Sequence, residues 1–214
     1  MATQLATKLA SALAELEIAC NEQQLDQLQQ FLLLLQKWNS KFNLVADSSE
    51  DELLYRHLLD SLSISEYLRG TNIVDVGTGA GFPGIPLAII HPDMNFLLID
   101  SNGKKTRFLF QAKLALGLDN LDIENCRIEH YQSDRQIDIV TCRAFSTLED
   151  TVALTGSLLA ESSYLLAMKG RFPATEISAL PAEFTVSRTI NLKVPGLSGE
   201  RHLIEVARLP QNPG

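Results

Sequence analysis

The sequence is poor in cysteine and lacks long apolar runs. Its three cysteines, Cys20, Cys126 and Cys142, are odd in number and too widely spaced for a metal-ligand motif or a disulfide framework. We therefore expect buried, reduced thiols in a cytoplasmic protein. The longest apolar run near the start, Phe31 to Leu35, is far too short to span a bilayer. These shortages exclude a secreted disulfide scaffold and argue against a membrane protein.

Basic residues are also scarce. The chain of 214 residues has 18 lysines and arginines against 26 acidic residues, which gives a net charge of −8. Proteins that bind nucleic acid usually have the opposite balance. If this protein binds RNA, it must do so through a local basic patch. The apolar fraction of 45% is high enough for a full hydrophobic core and excludes disorder.

The stretch from Asp75 to Gly84, Asp-Val-Gly-Thr-Gly-Ala-Gly-Phe-Pro-Gly, is the most informative local pattern. The apolar run before it, Ile73 to Val76, predicts a buried strand. The run after it, Ile85 to Ile90, predicts a helix with prolines in its first turn. Glycines let the main chain approach a ligand closely, and the start of a helix offers free N–H groups. The stretch therefore predicts a backbone cradle for a ligand.

Two acidic residues help to identify that ligand. Gly79, Gly81 and Gly84 match the dinucleotide fingerprint, which is a weak signal alone. Asp75 is expected at the strand end, facing the ligand, where a carboxylate repels a pyrophosphate and suits a cationic ligand such as S-adenosylmethionine. Asp100 ends the next predicted strand, at a spacing that suits a partner for ribose hydroxyls. We therefore predict S-adenosylmethionine, with NAD and a tight turn without a ligand as alternatives.

Helical patterns fill the first third of the chain. Leucines at helical spacing predict an amphipathic helix over residues 2–18, rather than a secretion signal. Asn21 opens a capping-box pattern for a second helix, which is predicted to end at Trp38 in a polar turn. A third helix is predicted from about 49 to 68. We expect residues 1–70 to form a helical extension packed on the core.

From residue 71 the pattern changes to short apolar strands that alternate with helical runs. This alternation is typical of an α/β fold with a mostly parallel sheet and helices on both faces. The loop from Lys193 to Gly199 is too short for a crossover helix, so the last two strands are expected to pair antiparallel at one edge. We predict one domain over 71–209 and a frayed tail at 210–214. The seven expected strands are 72–76, 95–99, 121–124, 137–141, 163–168, 184–192 and 201–208.

Basic side chains recur where strands end or helices begin, which is the ligand edge of such a sheet. Together they predict a positive rim that concentrates phosphate contacts there on an otherwise acidic protein. Arg56 and His57 lie on the third predicted helix, where an ion pair within the helix is the alternative to a site-facing role. The other members of the predicted rim are Lys104, Lys105, Arg107, Arg127, Arg143, Lys169, Arg171, Arg201 and His202.

Longer motifs make the sequence similar to a known family. The glycine motif continues through Ile-Pro to Ile89, and five further motifs cover nearly the whole chain: Trp38-Asn39 with Asn43-Leu44, Arg56-His57-Leu-Leu-Asp60-Ser61, Arg143-Ala144-Phe145, Met168-Lys169-Gly170 and Gly199-Glu200-Arg201-His202-Leu203. With them the sequence resembles the RsmG (GidB) family. The resemblance implies a Rossmann-like class I methyltransferase with an N-terminal helical extension. It also implies methylation of guanine N7 in the 530 loop of 16S ribosomal RNA.

The resemblance also implies roles for individual residues. Gly77 and Phe82 are expected to contact the donor. Ile128 and Glu129 are expected to flank its adenine, and Arg143 to line the donor site. The rest of the predicted donor site consists of Asp75, Gly79, Gly81 and Asp100. The residues expected near RNA or the target base are Arg127, Lys169, Arg201 and His202.

The implied chemistry needs few groups. Guanine N7 carries a lone pair and no proton, so transfer needs neither a general base nor a cysteine nucleophile, and no metal is signalled. The protein's task is positioning. Arg143 and Lys169 are the predicted catalytic residues, as hydrogen-bond donors to O6. The alternatives are another methyl acceptor and a module that binds donor or ribosome without turnover. We expect a monomer whose partner is 16S RNA within the small ribosomal subunit.

Overall fold

A seven-stranded sheet forms the centre of the molecule. Its strands are β1 (Asn72–Val76), β2 (Asn95–Ile99), β3 (Leu121–Glu124), β4 (Ile139–Arg143), β5 (Tyr164–Lys169), β6 (Phe184–Asn191) and β7 (His202–Arg208). The computed structural model describes residues 2–210. Except for Pro210, the predicted tail at 210–214 therefore lies outside the described residues. The strand order is β3-β2-β1-β4-β5-β7-β6. β1 to β5 are parallel, and β7 is antiparallel to both β5 and β6, as predicted for the edge pair.

The strand order reverses between β1 and β4. From β1 the chain adds β2 and β3 on one side, and then β4 and β5 on the other. At such a point the loops after the strands diverge and leave a crevice at the carboxyl ends, which is where α/β sheets bind ligands. The glycine motif follows β1 directly and therefore borders this crevice.

β4 begins two residues later than predicted. Residues 137 and 138 were expected in the strand, but the Asp138 carboxylate accepts hydrogen bonds from two backbone N–H groups at the start of β1, at 2.8 and 2.9 Å. Asp138 therefore holds the beginning of the neighbouring strand. β4 ends at Arg143, and β5 ends at Lys169. Both side chains are fixed to the sheet rather than carried on loops.

Helices α1 (Ala2–Glu15) and α2 (Glu22–Phe42) form most of the N-terminal extension. The predicted capping box at Asn21 is confirmed, with its side chain accepting a hydrogen bond from the backbone N–H three residues later at 2.9 Å. The predicted end of α2 at Trp38 is wrong, because the helix continues for another turn. It ends where Asn43 adopts a left-handed conformation, with φ of 50°.

The third predicted helix is divided into three parts. The hydroxyls of Ser61 and Ser63 donate 2.6 Å hydrogen bonds to backbone oxygens of the preceding turn, and such bonds compete with the regular helical ladder. Part of the segment winds as a π-helix, which is wider than an α-helix and is frequent at functional sites. In place of one α-helix over 49–68, the segment contains a π-helix (Glu52–Leu59), α3 (Asp60–Leu62) and a 3₁₀ turn (Ser65–Tyr67).

Both faces of the sheet are covered. The remaining helices are α4 (Gly84–Ile90), α5 (Gly103–Leu116), α6 (Leu148–Thr155) and α7 (Ala174–Ser178). One hydrophobic cluster joins α1 and α2 to α4, α5 and the sheet, and includes Leu9, Phe31 and Leu98. A second cluster covers the other face and includes Val74 and Leu148. α1 and α2 thus share a hydrophobic core with the sheet, while the division of the chain into an extension and a domain at residue 70 stays a prediction.

The three cysteines differ in how deeply they are buried. All three cysteines carry free thiols, but only Cys142 is buried, whereas Cys20 and Cys126 are half-buried. Burial raises the pKa of the Cys142 thiol to about 12, so it is unreactive as a nucleophile.

Within residues 2–210, no helix combines the length and apolar character needed to cross a membrane.

Candidate active site

The loop after β1 depends on glycine. Gly77, Gly79 and Gly81 all have positive φ values, of 66°, 63° and 93°, in the region that favours glycine. At Gly77 the space is also closed, because a Cβ added there would lie 2.4 Å from Cδ2 of Phe145. The backbone of the loop therefore follows a path that L side chains disfavour, and it packs directly against the segment that follows β4.

Asp75 supports this loop from beneath. It is fully buried, and its Oδ2 accepts hydrogen bonds from the Thr78 hydroxyl at 2.6 Å and from the Gly84 N–H at 2.9 Å. Asp75 lines neither of the two cavities described below, and its contact with a ligand stays a prediction. Its Oδ1 has no hydrogen-bond partner within the described chain, so one carboxylate oxygen is buried without compensation.

This burial predicts an effect of pH on stability. Burial raises the pKa of Asp75 to about 6, although the hydrogen bonds from Thr78 and Gly84 act in the opposite direction. A carboxyl group whose pKa is raised by folding holds its proton more tightly in the folded state, so stability falls as pH rises from about 4 to 6 and then levels off. We expect the free energy of unfolding of Asp75→Asn to rise relative to the wild type by about 2–3 kcal/mol across that window.

Urea unfolding of both proteins at pH 4, 5, 6 and 7 measures this difference. Other titrating groups cancel in the comparison, because both proteins contain them. Parallel pH profiles for Asp75→Asn and the wild type would contradict the assignment.

Asp100 lies beside the loop, at the end of β2. Its Oδ2 accepts a hydrogen bond from the Gly79 N–H at 2.9 Å, and its Oδ1 accepts one from the Asn102 N–H at 2.8 Å. Asp100 therefore fixes the glycine loop and the start of α5 together. It borders a cavity of about 440 Å³, which we call the side cavity. Of the predicted residues, those lining the side cavity are Gly77, Asp100, Lys105, Arg127, Ile128 and Glu129.

A larger opening, which we call the main cleft, lies on the other side of the loop. It has a volume of about 800 Å³ and meets the side cavity at Gly77, Lys105 and Ala144, which line both. The segment Leu44–Asp47 and Asp60 also line the main cleft. Of the predicted residues, it brings together Arg56, His57, Gly77, Gly79, Phe82, Lys105, Arg143, Lys169, Arg201 and His202.

Asp60 connects the extension to the sheet within the main cleft. Its Oδ2 accepts from Nη1 of Arg143 at 3.1 Å, and its Oδ1 accepts from Nε of Arg201 at 3.1 Å. The Asp60 side chain is 8% exposed, and the two arginine side chains are 18% and 24% exposed. A carboxylate shared by two guanidinium groups at this burial holds β4 and β7 to the helical extension.

His57, like Asp60, contacts Arg143. Nη2 of Arg143 lies 2.9 Å from Nδ1 of His57, and a guanidinium can only donate, so Nδ1 accepts. Burial, together with Arg143 and Arg56, lowers the pKa of His57 to about 4. The imidazole is therefore neutral at physiological pH. It stacks on the Phe82 ring with 5.1 Å between ring centroids, so that the extension also touches the glycine loop.

Lys169 is held by two acceptors. Its Nζ donates to the Ser146 carbonyl and to Oε2 of Glu176, both at 2.7 Å. Lys169 is also paired with His202 across the β5–β7 ladder. The ammonium group has three N–H donors, so one remains available. Lys169 thus has a fixed position on the wall of the main cleft.

Five predicted residues line neither cavity, and Asp75 beneath the loop is one of them. Lys104 and Arg107 are exposed on α5, and Arg171 is exposed on the loop after β5. Gly81 is a buried residue of the loop itself, where the absence of a Cβ makes room for the Ile85 side chain of α4. The predicted ion pair within the third helix exists, but it joins Arg56 to Glu52 at 3.3 Å.

Sequence reasoning missed two parts of the main cleft. Asp60 was noted only as a neighbour of Arg56 and His57, although the motif that contains all three was its signal. The segment Leu44–Asp47 is positioned by Asn39, which is 8% exposed and accepts a hydrogen bond from the Val45 N–H at 2.8 Å. An asparagine near a helix end was the only signal for that segment.

The fold is shared with a solved methyltransferase. The glycopeptide N-methyltransferase MtfA, whose structure contains S-adenosylhomocysteine, superposes with a TM-score of 0.60 over 72% of this chain and 87% of that chain, at 10% identity. Identity this low shows the fold alone. The chain thus has the Rossmann-like fold of class I S-adenosylmethionine-dependent methyltransferases, with a glycine loop after β1 and acidic residues near the ends of β1 and β2.

Sequence relatives narrow the class further. The family model GidB, described as rRNA small subunit methyltransferase G, matches residues 24–204. The Ribosomal RNA small subunit methyltransferase G of Marinobacter nauticus is 47% identical, over 94% of both chains. That of Pseudomonas syringae pv. tomato is also 47% identical, over 95% of this chain and 96% of the relative. The chain belongs to the GidB family, and its cofactor is S-adenosylmethionine rather than NAD.

Proposed function

We propose that the protein methylates N7 of a guanine in the 530 loop of 16S ribosomal RNA. The family model and the relatives are named for methylation of small-subunit ribosomal RNA, which supports the substrate class. The observation that carries the proposal is the main cleft, where the glycine loop faces Lys169, Arg201 and His202. We propose that the protein acts as a monomer in the cytoplasm, on RNA within the small ribosomal subunit.

The two cavities fit S-adenosylmethionine. The donor consists of an adenosine and a methionine joined at the ribose, and the side cavity and main cleft meet at Gly77. In this proposal Asp100, Ile128 and Glu129 hold the adenosine. The glycine loop and Phe82 hold the part that carries the methyl group. The buried, unpaired oxygen of Asp75 beneath the loop favours a cationic ligand above it when ionised.

The donor supplies an electrophilic methyl group on a sulfonium. The guanine N7 lone pair forms the new C–N bond as the S–C bond breaks, and that electron pair stays on sulfur. The positive charge passes to the methylated base, and no proton moves. The residues of the main cleft therefore have only to bind the base, align N7 with the methyl group and exclude water.

Hydrogen bonding separates the roles of the two predicted catalytic residues. Arg143 is engaged by the Arg56 carbonyl, Asp60 and His57, so it serves mainly to line and stiffen the site. Lys169 retains one N–H, on the wall opposite the glycine loop. We assign to Lys169 the hydrogen bond to guanine O6, which discriminates against adenine because adenine has an amino donor at that position.

Lys169→Ala is expected to lower the rate of methyl transfer about 10- to 100-fold while leaving donor affinity within twofold. A hydrogen bond from a charged group is worth about 1.5–3 kcal/mol, which corresponds to that range. Single-turnover transfer and calorimetric titration with S-adenosylmethionine measure the two effects. Glu176→Gln serves as the control, because it removes the ion pair but keeps the ammonium group. Equal losses of transfer and donor affinity would contradict the assignment.

Labelled methyl transfer tests the proposed function directly. The protein is incubated with labelled S-adenosylmethionine and small subunits from cells that lack it, with protein-free RNA alongside. Cleavage mapping of 7-methylguanine then locates the label. Label at one guanine of the 530 loop is the expected result. Label on another acceptor, or donor binding without label on either substrate, would favour the alternatives of a different methyltransferase or a binding module.

A further inference from the structure

Cations are concentrated on two helices of this acidic protein. The second half of α2, from Leu28 to Phe42, and the whole of α5 together contain six lysines and arginines and no acidic residue. The rest of the chain then has 12 basic against 26 acidic residues. Positive charge is therefore concentrated on α5 and on the part of α2 from Leu28 to Phe42, which both lack acidic residues.

The two helices are antiparallel neighbours. Near one end, Nε2 of Gln27 on α2 donates to the backbone oxygen of Leu116 on α5 at 2.7 Å. Further along, the rings of Trp38 and Phe108 pack with 5.7 Å between centroids. The C-terminal end of α2 therefore lies beside the N-terminal half of α5, and the cations of both helices belong to one layer of the molecule.

Four of these cations have no internal partner. Lys37, Lys41, Lys104 and Arg107 are exposed, and none of them forms an ion pair within residues 2–210. Lys104 and Arg107 also lie in the first turns of α5, where a positive charge opposes the helix macrodipole. Neither ion pairing nor helix stability accounts for these residues.

Exposed aromatic rings lie among the cations. Phe42 is 43% exposed at the end of α2, and Phe110 is 48% exposed on α5, three residues after Arg107. Exposed phenylalanine is unfavourable in water and offers a flat surface on which a nucleobase can stack. Cations for phosphates combined with rings for bases are typical of surfaces that bind single-stranded or irregular RNA.

We infer that α2 and α5 form an RNA-docking surface, made of Lys37, Lys41, Phe42, Lys104, Arg107 and Phe110. The inference rests on the proposed function, and it names where the RNA that flanks the target guanine is held. The docking surface adjoins the main cleft on both helices, through Lys105 on α5 and through Leu44–Asp47, which follows α2. RNA bound along it leads directly to the site of methyl transfer.

A triple substitution tests the docking surface, with a matched control. The test variant is Lys37→Gln, Lys41→Gln and Arg107→Gln, and the control is Arg135→Gln, Arg188→Gln and Lys193→Gln, three exposed cations outside α2 and α5. Each lost phosphate contact lowers the slope of log affinity against log salt by about 0.7–0.9. We expect the magnitude of that slope to be smaller by about 2 in the test variant than in the wild type. We also expect the KM of the test variant for RNA to be tenfold higher or more. Its kcat and donor affinity stay within twofold, and the control behaves as the wild type.

A second variant separates stacking from charge. Phe42→Ala with Phe110→Ala is expected to lower RNA affinity about 30-fold or more without changing the salt slope, because no charge is removed. Both effects are measured by fluorescence anisotropy with a labelled fragment of small-subunit RNA that contains the 530 loop. Both positions are exposed, so the double variant is expected to fold, and circular dichroism checks this.

The outcomes distinguish this inference from the proposed function. Wild-type binding and KM in the triple variant, or an equal loss in the control triple, overturn the docking surface. A loss of binding that is seen only with intact subunits, and not with RNA alone, also overturns the inference. The surface would then bind a ribosomal protein instead of RNA. If the wild type itself transfers no methyl group, the proposed function fails, while the salt slopes still decide whether RNA binds here.

Discussion

Gly77→Ala is expected to reduce donor affinity at least 100-fold, whereas Gly117→Ala leaves donor affinity unchanged. The two glycines have nearly the same φ, 66° and 64°, so alanine imposes a similar backbone cost of about 1–2 kcal/mol at each. They differ in their surroundings. A Cβ at Gly77 would lie 2.4 Å from the Phe145 ring, and one at Gly117 has no atom within 4 Å. Only at Gly77 must the loop and its neighbour move.

Calorimetric titration with S-adenosylmethionine and thermal unfolding of both variants measure these effects. We expect a larger loss of stability for Gly77→Ala, where the loop and its neighbour must move, and very different donor affinities. If Gly117→Ala lost as much donor affinity as Gly77→Ala, the effect would come from general destabilisation. If neither variant lost affinity, the loop after β1 would not be the donor site.

Asp60→Ala is expected to destabilise the protein by about 3–5 kcal/mol, because it leaves two largely buried guanidinium groups without their carboxylate. Asp122 provides a matched control. It also lies between two cations, Lys113 at 3.3 Å and Arg135 at 3.6 Å, but its side chain is 58% exposed. Asp122→Ala is therefore expected to change stability by less than about 1 kcal/mol. Because each aspartate has two cationic partners, the comparison of the two variants measures the effect of burial.

Urea unfolding gives both free energies, and Asp60→Asn adds an intermediate case. Asparagine keeps one acceptor oxygen, so one arginine retains a neutral partner. The expected order of stability is wild type, Asp60→Asn, Asp60→Ala. Similar losses for Asp60→Ala and Asp122→Ala would show that the buried pairs contribute no more than surface pairs.

The local patterns of the sequence were sufficient for most of the fold. β1, β2 and β3 have the predicted limits, because buried parallel strands are short apolar runs bounded by turn residues. The antiparallel edge followed from the length of one loop. Patterns failed where a side chain acts on a distant segment. β4 begins two residues later than predicted, where Asp138 bonds to the start of β1, and nothing within 137–141 indicates this.

The candidate site divides in the same way. The glycine loop and Asp100 were predictable because the ligand edge of a parallel sheet follows from chain order. Asp60 was not, because its two arginine partners are 83 and 141 residues away in the sequence. The burial of Asp75 was also unpredicted, since a strand end identifies the edge of the sheet but not whether the following loop covers it.

The bridge from Asp60 to Arg143 and Arg201 has a consequence for how such a protein can evolve. Its three members come from the helical extension, the middle of the chain and the residue that precedes the last strand. An extension exchanged by recombination therefore keeps the bridge only if it brings an acidic residue to the position of Asp60. Without one, two largely buried guanidinium groups lose their carboxylate.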